Sequence, residues 1–176
     1  AEALKEARAY GESKPGDPAA ENLVGRAALG AGRYEEAVES FTRYLAAEPG
    51  HCPARVNLAL GQFGLRRWEA AERELNAAAA CAPGSAEVLE TLALVYRMQQ
   101  RLDDSLATYE RLRALRPSPE VEKAIREVTH NLEAQAINRA ADEEEERIRA
   151  ATAKADQDAQ AMRDKIARYL RAVSDD

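Results

Sequence analysis

Pro-Gly recurs at Pro15-Gly16, Pro49-Gly50 and Pro83-Gly84, and Pro117-Ser118 stands one interval further on, so the chain is punctuated every 34 residues. A period of that length means near-equivalent structural units, and other positions keep the same step. Ala37 aligns with Ala71 and Ser105, Phe41 with Leu75 and Tyr109, and Gly25 with Ala59 and Ala93. Val24, Leu58 and Leu92 form a further column, as do Tyr34, Trp68 and Leu102, and Arg33, Arg67 and Arg101. Three complete units lie between Pro18 and Pro117.

Alanine, leucine, arginine and glutamate dominate, whereas β-branched and aromatic residues are few, so the composition favours helix and no sheet is expected. The units predict paired helices near Ala19–Ala31 and Glu35–Glu48, Pro53–Leu65 and Glu69–Cys81, and Ala86–Gln99 and Asp103–Leu115. Gly32 turns the chain within the first pair. Glu35, Glu69 and Asp103 place negative charge at helix starts, where the backbone dipole is positive. Gly25, Ala59 and Ala93 face Ala37, Ala71 and Ser105 across each pair, because a longer side chain at either place would push the helices apart.

Two helices in 34 residues, small residues at fixed places and a closing proline resemble the tetratricopeptide repeat family over residues 1 to 117. The resemblance implies an all-α, right-handed superhelix, an α-solenoid, here with a long C-terminal helical extension. The expected division is a half repeat or N-terminal capping helix over 1–17, repeats over 18–51, 52–85 and 86–119, a capping helix over 120–135 and a charged long helix over 136–176. Ala3, Tyr10 and Pro15 stand one period before Ala37, Tyr44 and Pro49, which favours a half repeat that continues upstream.

In this family the first helices of successive units line a concave groove that receives a helix or extended peptide of a partner protein. Carried over by register, the groove residues are Arg26, Leu29, Asn57, Leu60, Phe63, Leu94, Arg97 and Met98. The alternative is that several of them pack between helices or lie beneath the chain's own C-terminal helix. Chaperone-adaptor members clamp a C-terminal carboxylate with lysine, arginine and asparagine. Asn57 keeps the asparagine, but Ala19, Glu87 and Thr91 occupy the basic places, so acidic chaperone tails are not the expected ligand.

After Pro119 there is neither glycine nor proline. Val121, Ile125, Val128 and Leu132 form an apolar stripe suited to covering the third unit. Residues 133–160 are mainly alanine and charge, with Asp142 to Glu146 uninterrupted, and read as a solvated helix rather than an acidic binding site. Met162, Ile166, Tyr169, Leu170 and Val173 then restore an apolar face, a candidate helix interface and coiled coil. A straight helix over residues 119–173 would reach about 80 Å. It is expected to fold back, pair with another copy or dock on another protein, with Thr129-His130-Asn131 as the candidate break. A touch on a membrane surface ranks below pairing, because the apolar face is modest.

No catalytic triad, phosphate-cradling loop or paired-carboxylate site is present, so no catalytic residue, cofactor or enzymatic activity is expected. Cys52 and Cys81 fall at the same end of the second unit, and the sequence leaves a disulfide and two reduced thiols about equally open. Zinc on His51, Cys52 and Cys81 would lack a fourth ligand, so no metal site is expected. The net charge is −6, and neither half of the chain is basic, which argues against nucleic acid. No stretch approaches the roughly 20 apolar residues of a membrane span. The start at Ala1 implies that something upstream has been removed, a leader or anchor included. Twenty arginines against five lysines point to a GC-rich bacterial origin, cytoplasmic or periplasmic, and periplasmic if Cys52 and Cys81 are paired. The expected function is a non-catalytic scaffold or adaptor supporting assembly of a protein complex. The alternatives are a homo-oligomer joined through the C-terminal helix, or an adaptor autoinhibited by that helix in its own groove.

Overall fold

The column Asp17, His51 and Ser85 sets where each first helix begins. Asp17 Oδ1 accepts from the Ala19 backbone N–H at 2.9 Å, His51 Nδ1 from Ala54 at 3.1 Å, and Ser85 Oγ from Val88 at 3.4 Å. Each side chain satisfies one of the backbone donors that a helix start leaves open. In the computed structural model these caps open α2 (Pro18–Gly30), α4 (Cys52–Gly64) and α6 (Ala86–Met98). The partner helices are α3 (Tyr34–Ala47), α5 (Trp68–Cys81) and α7 (Leu102–Leu115), preceded by α1 (Glu2–Ser13) and followed by α8 (Pro119–Ser174). The structure describes residues 2–174, with side chains from 2 to 168. Every predicted helix boundary in the three units lies within one residue of the observed one.

The connection inside each pair is the same left-handed turn, at Gly32 with φ 70°, Arg66 with φ 58° and Gln100 with φ 61°. Only the first unit fills it with glycine, the residue that bears a positive φ without a steric penalty. At Arg33, Arg67 and Arg101 no side chain caps the second helix. The acidic residues in the turn that follows supply the charge complement instead.

Two compact units divide the chain, Ala1–His130 and Asn131–Asp176. In the first, α1 packs on α2, each first helix packs on its own second helix, and α3 and α5 pack on α4 and α6. Phe41, Leu75 and Leu112 are wholly buried, as are Ala37, Ala59, Ala71 and Ala93 in the small-residue columns. A Cβ on Gly25 would meet the Phe41 ring at 3.0 Å, which is why that place is bare in the unit with phenylalanine opposite. Ser105, the one polar member of its column, is also buried, and its hydroxyl donates to the Ala93 carbonyl at 2.8 Å.

Ion pairs cross between helices around this core. Arg8 of α1 reaches Glu36 of α3, Arg43 of α3 reaches Glu21 of α2, and Arg55 of α4 reaches Glu74 of α5. Arg101 donates to Glu72 at 2.9 Å and to Asp104 at 2.7 Å, with its guanidinium 4.4 Å from the Tyr96 ring centre. The Arg101–Glu72 pair ties the second repeat to the third. Val121 and Val128 of α8 are buried in this first unit.

Thr129-His130-Asn131 does not break α8, which is helical from Pro119 to Ser174. These residues have modest helix propensity, a cost of roughly 0.7 kcal/mol or less each, which the helix absorbs. The second unit, Asn131–Asp176, is helical over its described part, and from Ala136 to Arg168 its side chains are exposed. Among the described residues no helix is long and apolar enough to cross a membrane.

Candidate protein-binding surface

The first helices α2, α4 and α6 touch in succession, so one face of the repeat unit is built from the middle turns of all three. A cavity of about 420 Å³ is lined by Asn22 and Arg26 from the middle of α2, by the cap His51 with Pro53 and Asn57 of α4, and by Glu87 at the start of α6. Its position follows from the repeat: Pro53 and Glu87 are one column, and Asn57 stands one turn beyond Pro53 on the middle helix. The lining offers an arginine on one side, a carboxylate on the other and a carboxamide between them. Asn57 can donate and accept at once, which matches the alternating groups of a peptide backbone.

The eight groove residues expected from the sequence fall in four settings. Arg26 and Asn57 come together in that cavity, Arg26 exposed and Asn57 half-buried. Leu29 is half-buried against the core of the first pair, while Leu60 and Phe63 pack on the core around Val56, Leu75 and Val95. The Phe63 ring also meets Trp68 edge-on, with centres 5.1 Å apart. Leu94 lines a separate cavity of about 400 Å³ with Tyr109, Leu112 and the α8 residues Val121 and Ala124. Arg97 lies beside it, 3.4 Å from Glu127 of α8. Met98 remains 39% exposed. The apolar strip is therefore shared between helix packing, the start of α8 and solvent.

Sequence reasoning passed over one further surface. Tyr10 of α1 and Leu23 of α2 are exposed and line, with Arg26 and Ala27, a cavity of about 470 Å³ between α1 and α2. The signal was present in the 34-residue columns: Tyr10 aligns with Tyr44, which is buried and packs edge-on against His51 at 5.1 Å.

His51 also has a different task from the one considered for it. Its ring nitrogen caps α4, and among the described residues no cluster of three or more histidine, cysteine or acidic side chains could hold a metal. Cys52 and Cys81 are bonded, with Cα atoms 6.3 Å apart, across the open end of the α4–α5 pair. The alternative of two reduced thiols is therefore not realised. Cys81, Ala47 and Leu115 share the last helical turn of their units, and that place faces solvent in all three.

Profiles described as tetratricopeptide repeat match residues 28–94 and 1–51, which together cover more than half of the chain. The chain belongs to the tetratricopeptide repeat family. No curated protein matches it. Among solved structures it is similar to the first tetratricopeptide domain of human RPAP3, at 22% identity and a TM-score of 0.63, covering 68% of this chain and 94% of that one. It is also similar to the first tetratricopeptide repeat region of Spaghetti (RPAP3) bound to the HSP90 peptide SRMEEVD, at 23% identity and a TM-score of 0.61, covering 65% of this chain and 94% of that one. A double mutant of MamA aligns at 22% identity and a TM-score of 0.69, covering 75% of each chain. At these identities the likeness establishes the fold alone.

Proposed function

We propose that this chain is a non-catalytic adaptor that holds an extended peptide or helix of a partner protein on the face formed by α2, α4 and α6. The observation that carries this reading is the cavity shared by all three first helices, with Asn57 at its middle. A peptide laid across it exchanges hydrogen bonds with Asn57 and runs on toward the exposed side of Leu60, Leu94 and Met98. Glu87 stands where a carboxylate clamp would need a cation, so the preferred segment is neutral or basic at that end rather than an acidic tail. The Cys52–Cys81 bond supports a site of action in an oxidising compartment, such as the bacterial periplasm.

Affinity capture from the source cell tests the reading, with the parent beside an Asn57→Ala, Arg26→Glu variant. Both substitutions avoid the buried core, so circular dichroism should not change. A partner recovered by the parent and lost with the variant supports the shared cavity as the site. Equal recovery of the same proteins by both would place binding elsewhere.

A further inference from the structure

The second unit carries an apolar stripe that is open to solvent. Ile148, Met162 and Ile166 are 57%, 58% and 53% exposed. With Thr152, Ala155 and Ala159 they recur in steps of four, three, four, three and four residues. That is an unbroken heptad seam, with Ile148, Ala155 and Met162 in one core position and Thr152, Ala159 and Ile166 in the other. Exposed apolar residues scattered at random would not keep a 3.5-residue period.

The charges beside the seam identify what fits against it. In this register Glu144, Ala151 and Asp158 flank one side, and Arg149, Asp156 and Arg163 flank the other. In a parallel pair each residue of the first set faces the residue five places further along on the second helix. Glu144 then faces Arg149 and Asp158 faces Arg163, each pairing occurring twice by symmetry. The remaining pairing, Ala151 with Asp156, contains one charge, so no like charges meet. An antiparallel pair stacking the same six core residues places Arg149 opposite Arg163, and sets Asp156 and Asp158 each against its own copy. Within one helix Glu144 lies 3.6 Å from Arg147, and Arg149 bonds Glu145. These pairs are largely exposed and worth a few tenths of a kilocalorie per mole, so they do not compete strongly.

We infer that residues 144–168 of α8 form a parallel, in-register, two-stranded coiled coil with a second copy of this chain. The inference does not rest on the peptide-binding reading, and it joins two copies of the repeat unit in one assembly. Ala155 and Ala159 make the seam narrow, so association is concentration-dependent rather than obligate.

Sedimentation equilibrium on the full chain tests this, with the apparent mass rising toward twice the chain mass as concentration increases. Arg149→Glu with Arg163→Glu puts like charges at both pairings and should return the chain to single mass. Adding Glu144→Arg and Asp158→Arg restores opposite charges and should restore the doubled mass. Since the native cysteines are bonded to each other, Ala159→Cys supplies a free thiol at a seam position. It should cross-link two chains under mild oxidant, whereas Gln157→Cys on the outer face should not. A parent that stays at single mass up to roughly 1 mM overturns the inference. So does a charge-reversed variant that dimerises as well as the parent, or equal cross-linking at the two cysteine positions.

Discussion

The aromatic ring of Tyr34 lies on the bare backbone of Gly64, so closely that a Cβ at that glycine would come within 2.5 Å of ring carbons. One turn earlier a Cβ on Gly61 would stand 2.9 Å from the Val38 side chain. Together the two glycines let α3 of the first repeat settle against α4 of the second. Gly64→Ala should therefore destabilise the protein by about 1–3 kcal/mol through overpacking, despite alanine's higher helix propensity. Gly30→Ala is the matched control, one period earlier, where an added Cβ meets nothing within 4 Å. It should be neutral or stabilising by up to about 1 kcal/mol. Urea denaturation of the two variants side by side checks the contrast.

The left-handed turn gives the opposite sign for a glycine substitution. Arg66 and Gln100 hold φ of 58° and 61°, a region that costs an L-residue roughly 1 kcal/mol or more. Arg66→Gly and Gln100→Gly should each raise stability by about 0.5–1 kcal/mol, part of the relieved strain being offset by glycine's greater freedom when unfolded. Gly32→Ala in the first unit should lower it by a similar amount. Thermal melts of the three variants would show two shifts upward and one downward.

The same column explains how far the sequence could be read. Pro-Gly spacing located the units, and the small-residue columns located the packed helix faces, because both recur and recurrence is visible without coordinates. The left-handed turn was legible only at Gly32, since Arg66 and Gln100 carry no local sign of a positive φ. The cap at His51 was hidden similarly: Asp17 and Ser85 are familiar N-cap residues, but histidine in that column drew attention to metal instead. For the binding face, register placed Arg26 and Asn57 near one another but could not divide apolar residues between groove and core. Leu60 and Phe63 lie at the edge of a helix pair, where the same side chain serves both, and Leu94 faces the start of α8. Met162 and Ile166 were legible as an exposed apolar face, whereas the side chains of Tyr169, Leu170 and Val173 lie outside the described residues.

The Cys52–Cys81 bond joins the first residue of α4 to the last of α5 across a sequence separation of 29. Closing a loop of that size restricts the unfolded chain and should contribute about 3 kcal/mol. The corresponding ends of the first and third repeats lack such a bond, so the middle repeat is held more firmly than its neighbours. A Cys52→Ala, Cys81→Ala variant, or the parent under reductant, should melt at lower temperature. Amide exchange should speed up most at the ends of α4 and α5. An unchanged melting temperature under complete reduction, verified by thiol titration, would mean that packing alone fixes that end.

Acid should loosen α1 through Glu36. The hydrogen bond from Arg8 holds the Glu36 carboxyl below its ordinary value of 4.5, outweighing the opposing effect of burial, with the charges of Arg8 and Arg33 acting in the same direction. Because the folded pKa is the lower one, this contribution is complete above the ordinary carboxylate range and is lost as pH falls through the depressed value. Above that range, up to neutrality, Glu36 should impose no pH dependence. Arg8 is exposed on one side, so salt screens part of the attraction and the effect is local rather than global. Glu120 is also lowered, by its own backbone N–H and then Ser118, so the start of α8 has a parallel acid sensitivity. Residue-resolved hydrogen exchange between pH 6 and pH 3 separates the two sites. In the parent α1 should lose protection on the acid side, beyond the intrinsic change in exchange rate with pH. With Arg8→Gln, α1 should be less protected already at pH 6 and should show less further loss, while the response at Glu120 stays as it was. If α1 in the parent keeps its protection throughout, the Arg8–Glu36 pair does not secure that helix.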